Sequence, residues 1–312
     1  MDIGVFKESN YPLVTGLFKN LGVAWVCLLT TLSSGLHAEP SFPTKLETSQ
    51  SKRLISAGGS ITEILHHLGM AEQLIAIDTS SLYPAEIQSL PKVGYFRALS
   101  AEGVLSLQPN LLVAAKGAGP KAVLEQIESV GVRVKLFDQL DYDLASWKSL
   151  VTEMGEYFGA IEKSAGLIES TVTQFEQLKS KRNYPLNQIN AVSLLSIGQR
   201  GPMVAGKNTM PDFLFNHSGL RNLGAAVDGY KPINNEALIT QKIDLILIPS
   251  HMEKALGGKA AICNSPVIKL ALRKDCNIVV MDGLLLMGMG ARISLALEKV
   301  IHSANRLTLA VQ

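Results

Sequence analysis

Tyr95 and Arg97 stand two residues apart in the run Lys92–Ser106, KVGYFRALSAEGVLS, a glycine-led loop that leads into a helix. A phenol beside a guanidinium suits a core poorly. It suits the capture of a hard metal centre or an anion, because a phenolate oxygen is a hard donor and a nearby cation favours its ionised form. Nothing of comparable strength points to catalysis. The chain has no Gly-x-Ser-x-Gly elbow and no suggestively spaced His/Asp/Ser set. Gly58-Gly59, with Asp78 about 20 residues on, is a fragment of a dinucleotide site, but the full Gly-x-Gly-x-x-Gly is missing. The expectation is a binding protein and not an enzyme.

These side chains need a scaffold. Arg53–Ala57 reads as a strand, Gly58-Gly59 as a turn, and Ser60 as the cap of a helix with Glu63 completing a capping box. Ile61, Ile64, Leu65 and Leu68 give that helix its buried face. Strands at Leu74–Ile77, Leu111–Ala115 and Val132–Phe137 alternate with a helix capped by Ser100 and another over Lys121–Val130. From Leu144 to Arg182 there is no proline, and Ile168, Val172 and Phe175 keep helical spacing, as one long helix or two consecutive ones. The rhythm then resumes with strands at Ala191–Ile197, Asp244–Pro249 and Ile278–Met281. Helices fall at Pro211–Ser218, at Asn235–Thr240 behind the cap Asn234, and at Arg292–Asn305.

This pattern predicts an α/β fold of two Rossmann-like lobes with parallel sheets, an N-terminal lobe over 39–142 and a C-terminal lobe over 185–312, bridged by a long helical segment over 143–184. Ligands of such sheets sit beyond the carboxyl ends of the strands, so the cleft between the lobes is the expected site.

Composition agrees with a globular chain: 312 residues, 47% hydrophobic and 18% charged. A net charge of +2 without a Lys/Arg-rich run predicts no nucleic-acid partner. Lys7 and Lys19 precede an apolar stretch, Leu21–Leu32, that is shorter than the roughly 20 residues of a membrane span. With small Ala38 before the cut, residues 1–38 are expected to be a cleaved secretory signal. Two cysteines then remain, Cys263 and Cys276. They either pair or stay as buried thiols, and an oxidising compartment favours pairing.

The chain resembles the periplasmic haemin-binding proteins of bacterial haem ABC importers, the helical-backbone class of substrate-binding proteins. The likeness rests on SAGGSITEILHHLG, DTSSLYP, VGYFRALSAEGVLSLQPNLLVA and GAGPKAVLEQIESVGV, then on GPMVAGKNT, GYKPINNEALI and LGG. It implies a periplasmic monomer that carries haem as transported ligand, with no catalytic cofactor, to an inner-membrane ABC permease dimer and its ATPase. Siderophore and cobalamin carriers share the fold and form the alternative.

The resemblance makes Tyr95 the axial ligand of ferric iron, for which a phenolate is an accepted donor. Arg97 is then either the cation that favours the phenolate or the partner of a propionate. Tyr230 and Lys231, in GYKPIN, are candidates to stack on the porphyrin and to pair with a propionate. His251, after the Asp244–Pro249 strand, is a candidate second ligand or propionate partner. Met289 and Arg292 fall where the family has a Gly-aromatic-Gly-Pro-Arg turn against the ligand. Arg200 and Arg273 are weaker rim candidates. Glu63 and Glu236 match the glutamates, one per lobe, that dock the permease. Each also opens a helix, where a carboxylate is worth roughly 0.3–1 kcal/mol.

Overall fold

Strand β1 (Leu54–Ala57) is buried on both faces, as a central strand of a parallel sheet must be. In the computed structural model, which describes residues 53–138, 141–198 and 201–309, it leads the first lobe. It is followed by α1 (Gly59–His67), β2 (Leu74–Ile77), α2 (Ala101–Leu105), β3 (Leu111–Ala115), α3 (Lys121–Ser129) and β4 (Arg133–Phe137). The four strands lie in the order β2-β1-β3-β4, all parallel. The expected signal segment, residues 1–38, and Arg200 lie outside the described residues.

Two helices leave this lobe, α4 (Leu144–Phe158) and α5 (Ile161–Ser180). Asp143 caps α4 by accepting the Ser146 amide, and Gly159, left-handed at φ 68°, ends it. Glycine takes that conformation without a Cβ penalty, which explains why one proline-free stretch folds as two helices. The longer, α5, has 20 residues. At 1.5 Å per residue it reaches about 30 Å, the width of a small domain.

The second lobe contains β5 (Asn190–Gly198), β6 (Gly201–Ala205), α6 (Met210–Ser218), β7 (Arg221–Asn222), β8 (Tyr230–Pro232), α7 (Asn235–Ile239), β9 (Leu245–Pro249) and α8 (Ser250–Ala255). It closes with α9 (Lys259–Asn264), α10 (Pro266–Ala271), β10 (Ile278–Met281), α11 (Gly283–Met287) and α12 (Ile293–Leu309). Its sheet runs β10-β9-β5-β6-β8, with β7 also on β5. β10, β9, β5 and β7 are parallel, but β6 and β8 are antiparallel. The second sheet is therefore mixed, not purely parallel as expected. The extra strands are short and carry Gly201, Pro202 and Pro232, residues that speak against strands in a sequence reading. Cys263 and Cys276 form a disulfide with Cα atoms 5.8 Å apart, the pairing favoured above, and it ties α9 to the approach to β10.

One apolar cluster runs through both lobes, from Leu54 and Ile64 past Trp147 to Leu286, Met289 and Leu297. Trp147 on α4 is fully buried, and its indole N–H donates to the Gly290 carbonyl at 2.9 Å. Side chains of this kind contribute about 1.5–3 kcal/mol each on burial. The lobes are thus fused on one side by a shared core, and what gap exists lies on the other.

Candidate functional site

The carboxyl ends of β1, β3, β4, β9 and β10 all reach a cavity of about 490 Å³ between the lobes. The first lobe contributes Gly58–Ile61, Tyr95–Arg97 and Lys116; the second contributes Tyr230, His251, Leu284 and Met287. A larger hollow of about 660 Å³ lies in the second lobe, against the amino ends of β9 and β10. Several of its charged groups are engaged there: Arg273 pairs with Asp244 at 2.7 Å, and Lys259 donates to the Ile278 carbonyl at 3.2 Å. Position beyond the carboxyl ends of the strands singles out the cleft.

Tyr95 is 46% exposed and lines that cleft. Its ring meets Phe96 edge-on at 4.9 Å, and the Arg97 guanidinium lies over the same Phe96 ring at 4.8 Å. Arg97 makes no salt bridge among the described residues. An unpaired guanidinium on an aromatic support, next to an open phenol, is poised for an anionic or metal-bearing ligand.

Asp78 fixes this loop. It is fully buried, and its carboxylate accepts from the Gly58 amide at 3.0 Å, the Ser80 amide at 3.0 Å, and the Ser80 and Ser81 hydroxyls at 2.6 Å each. A longer bond of 3.3 Å comes from the amide of Phe96, the neighbour of Tyr95. Thr79 donates to the Gly94 carbonyl at 2.8 Å, and Gly119 donates to that of Phe96 at 2.9 Å. The Asp78 that looked like part of a dinucleotide fragment is instead a structural acceptor. It also replaces the expected cap: α1 starts from Gly58, at φ 118°, with no side-chain cap of its own. The Gly58 and Gly59 amides are served by Asp78 and Ser80 from the next loop, so Ser60 is not the N-cap. A Cβ on Gly58 would lie 2.8 Å from that of Ala115, which explains why glycine is needed there.

On the fused side, Glu63 and Arg292 meet across the lobes. Arg292 Nη2 donates to Glu63 Oε2 at 3.0 Å and its amide to Oε1 at 2.8 Å, while Nη1 reaches Asp282 Oδ2 at 3.2 Å. The guanidinium carbon sits 3.7 Å from the centre of the Tyr83 ring. A Cβ at Gly290 would come 2.7 Å from the Glu63 carboxyl carbon, so only glycine lets the turn close on it. Burial holds the Glu63 carboxyl above its ordinary value, and contact with Arg292 offsets only part of that. Burial also opposes the charge on Arg292, but Glu63 and Asp282 more than restore it. The asymmetry follows depth, since the Glu63 side chain is 2% exposed and that of Arg292 15%.

The comparisons with known proteins agree with this geometry. The family model for periplasmic binding protein matches residues 54–270. The chain belongs to that family. A vitamin B12-binding protein of Vibrio campbellii is 27% identical over 205 residues, 64% of this chain and 71% of its own length. The periplasmic heme-binding protein RhuT from Roseiflexus sp. RS-1 superimposes with a TM-score of 0.74 at 28% identity, over 83% of this chain and 99% of that one. A periplasmic heme-binding protein from Pseudomonas aeruginosa does so with 0.70 at 31% identity, over 82% and 93%.

In this binding protein the residues singled out from sequence divide. Tyr95, Arg97, Tyr230 and His251 all line the cleft. Lys231 does not; it is exposed on β8, where neighbouring residues face opposite ways, and Tyr230 takes the inward position. Met289 is fully buried in the shared core and is no part of the cavity wall. Arg292 is committed to Glu63 and Asp282, so it is not a free propionate partner. Glu63, buried against it, offers no surface for docking.

The sequence reading missed Tyr142, Leu284 and Met287 in the cleft wall. Glu102 is exposed in the first turn of α2 behind the cap Ser100, as Glu236 is in the first turn of α7 behind Asn234. The repeated pattern of cap, then acid two residues on, was visible in the sequence.

Proposed function

We propose that this periplasmic binding protein captures ferric haem in the cleft through Tyr95 and hands it to an inner-membrane ABC permease. The single observation that carries the reading is the Tyr95 ring, open to a cavity of about 490 Å³ beside an unpaired Arg97. That volume suits one small organic ligand, for which sites run about 300–1,000 Å³. Leu284, Met287 and Phe96 supply apolar wall for a flat macrocycle, and Arg97 supplies charge.

The names of the sequence relatives support a second reading, a cobalamin carrier. Cobalamin is far bulkier than haem, and its cobalt brings axial ligands of its own, a tethered benzimidazole and an upper group such as cyanide, so an open phenol would serve it less well. Parallel titrations of the mature protein with haemin and with cyanocobalamin decide between them. Saturable growth of a Soret band with haemin and no binding of cyanocobalamin is the expected result; the reverse would establish the cobalamin reading.

Glu102 and Glu236 replace the Glu63 and Glu236 pair as docking carboxylates. Both are exposed, on short capped helices of separate lobes. The Glu102→Ala/Glu236→Ala protein is expected to bind haemin normally and to fail in uptake by cells; normal uptake would rule the pair out.

A further inference from the structure

The hollow at the amino ends of β9 and β10 has no part in the cleft. The two lie at opposite ends of the same strands, on the order of 15 Å apart at about 3.3 Å per residue. The floor of the hollow is apolar, with Ile189, Leu245 and Val279 from the sheet and its approaches and Leu307 from α12. Tyr184 adds only a ring, because its hydroxyl donates to the Ser218 carbonyl at 2.8 Å. The rim is basic. Lys259, Lys274 and Arg306 line it without an acidic partner among the described residues, against a single unpaired acid, Asp275. Arg273 and Asp244 neutralise each other. The Lys259 bond to the Ile278 carbonyl occupies one of three ammonium donors and leaves the charge unanswered. The outer wall, residues 272–277, is held in place. The Arg273 amide donates to the Ile243 carbonyl at 2.9 Å, the Ile246 amide to that of Asn277 at 2.8 Å, and Cys276 is bonded to Cys263.

We propose that this hollow is a second binding site, for a small amphiphilic anion with an apolar body and one acidic head. Its volume of about 660 Å³ falls in the range of small-molecule sites, about 300–1,000 Å³, and an apolar surface with a few convergent polar groups is their usual form. The body lies on Ile189, Leu245, Val279 and Leu307, and the head meets Lys274 and Arg306 at the rim. The charge balance there, three unpaired cations against one acid, favours an anion over a neutral or cationic ligand. The braced wall needs little ordering when a ligand enters, which lowers the entropic cost of binding. No histidine lines the hollow, and its one phenol is engaged, so it offers haem iron neither an imidazole nor a free phenol. The site is therefore independent of whatever fills the cleft.

The test is a calorimetric titration with decanoate, decyl phosphate, decanol and inorganic phosphate, all below any micelle concentration. The proteins are wild type, Lys274→Glu/Arg306→Glu at the rim and Arg97→Glu in the cleft. Wild type is expected to bind one decanoate or decyl phosphate per chain, at least about tenfold tighter than decanol or inorganic phosphate, since body and head both contribute. The tighter of the two amphiphiles tells a carboxylate head from a phosphate one. Charge reversal at the rim should weaken binding by at least about tenfold, because like charges then face each other, while Arg97→Glu should leave it unchanged. Lys274 and Arg306 are exposed and have no acidic partner to lose, so the rim variant is expected to keep the wild-type Tm. If it does not fold, Lys274→Glu alone should show a severalfold loss. Four outcomes overturn the site: no saturable binding to wild type, decanol or phosphate binding as tightly as the amphiphiles, undiminished binding in a folded rim variant, or loss of binding in Arg97→Glu, which would move the probe to the cleft.

Discussion

The two lobes are fused on one side and parted by a cleft on the other, and on each side an arginine lies against an aromatic ring. At the fused face, Arg292 lies over Tyr83 and is also gripped by Glu63 and Asp282. At the cleft, Arg97 lies over Phe96 beside Tyr95 and has no acidic partner among the described residues. The difference lies in whether the charge is already answered. A guanidinium paired with Glu63 and Asp282, with only its Nε left without a partner among the described residues, holds the lobes together. The one at the cleft faces a cavity with no carboxylate partner among the described residues, and so is open to a ligand. The fused face therefore supports the open one, because a cleft can keep its shape only if the opposite contact does not slide.

That contrast can be broken most forcefully at Glu63. Removing one partner of a buried pair leaves the other charge uncompensated, so Glu63→Ala should destabilise the protein by roughly 3–5 kcal/mol in urea unfolding. Haemin affinity measured well below the transition should change little. A loss of under about 1 kcal/mol, the range of a surface pair, would mean that the fused face is not the brace described here.

A smaller effect is expected at Asp78, which joins the start of α1 to the Tyr95 loop. Asp78→Asn keeps the shape but turns one acceptor oxygen into a donor facing other donors, a mismatch worth about 1–3 kcal/mol. Because the Phe96 amide is among its partners, haemin affinity should also fall, by about tenfold on the scale of outer-shell partners. Lost stability with unchanged affinity would show that the loop is held by its other contacts.

The smallest effect is a pH slope. Folding raises the Glu63 carboxyl above its unfolded value of 4.5, so the folded state takes up that proton more readily than the unfolded chain. The group's contribution to stability is therefore greatest below 4.5 and falls as pH climbs through the raised folded value. Glu63→Gln should flatten that part of the Tm-against-pH curve. An identical curve would mean that Glu63 titrates alike in both states.

Much of the frame was legible because its signals are local. The strand and helix alternation of the first lobe and the caps Ser100 and Asn234 depend on neighbours within a few residues. The misreadings share a long-range cause. Glu63 three residues after Ser60 satisfies a local capping rule, but its real partner is Arg292, 229 residues away. The amides that Ser60 was expected to cap are met by Asp78 and Ser80. Lys231 and Tyr230 could not be separated without knowing that they lie on β8, a three-residue strand with proline at its end. Met289 looks like ligand wall in its motif, yet Trp147 donating to Gly290 pulls that turn into the core.

The haem proposal requires that the Tyr95 oxygen bond ferric iron. Its most direct test is the absorption spectrum of the haemin complex, recorded for wild type and for Tyr95→Phe, which keeps the ring and deletes only the oxygen. A phenolate-to-iron charge-transfer band is expected in wild type and should disappear in Tyr95→Phe, together with most of the affinity. The same band at the same strength in Tyr95→Phe would contradict it.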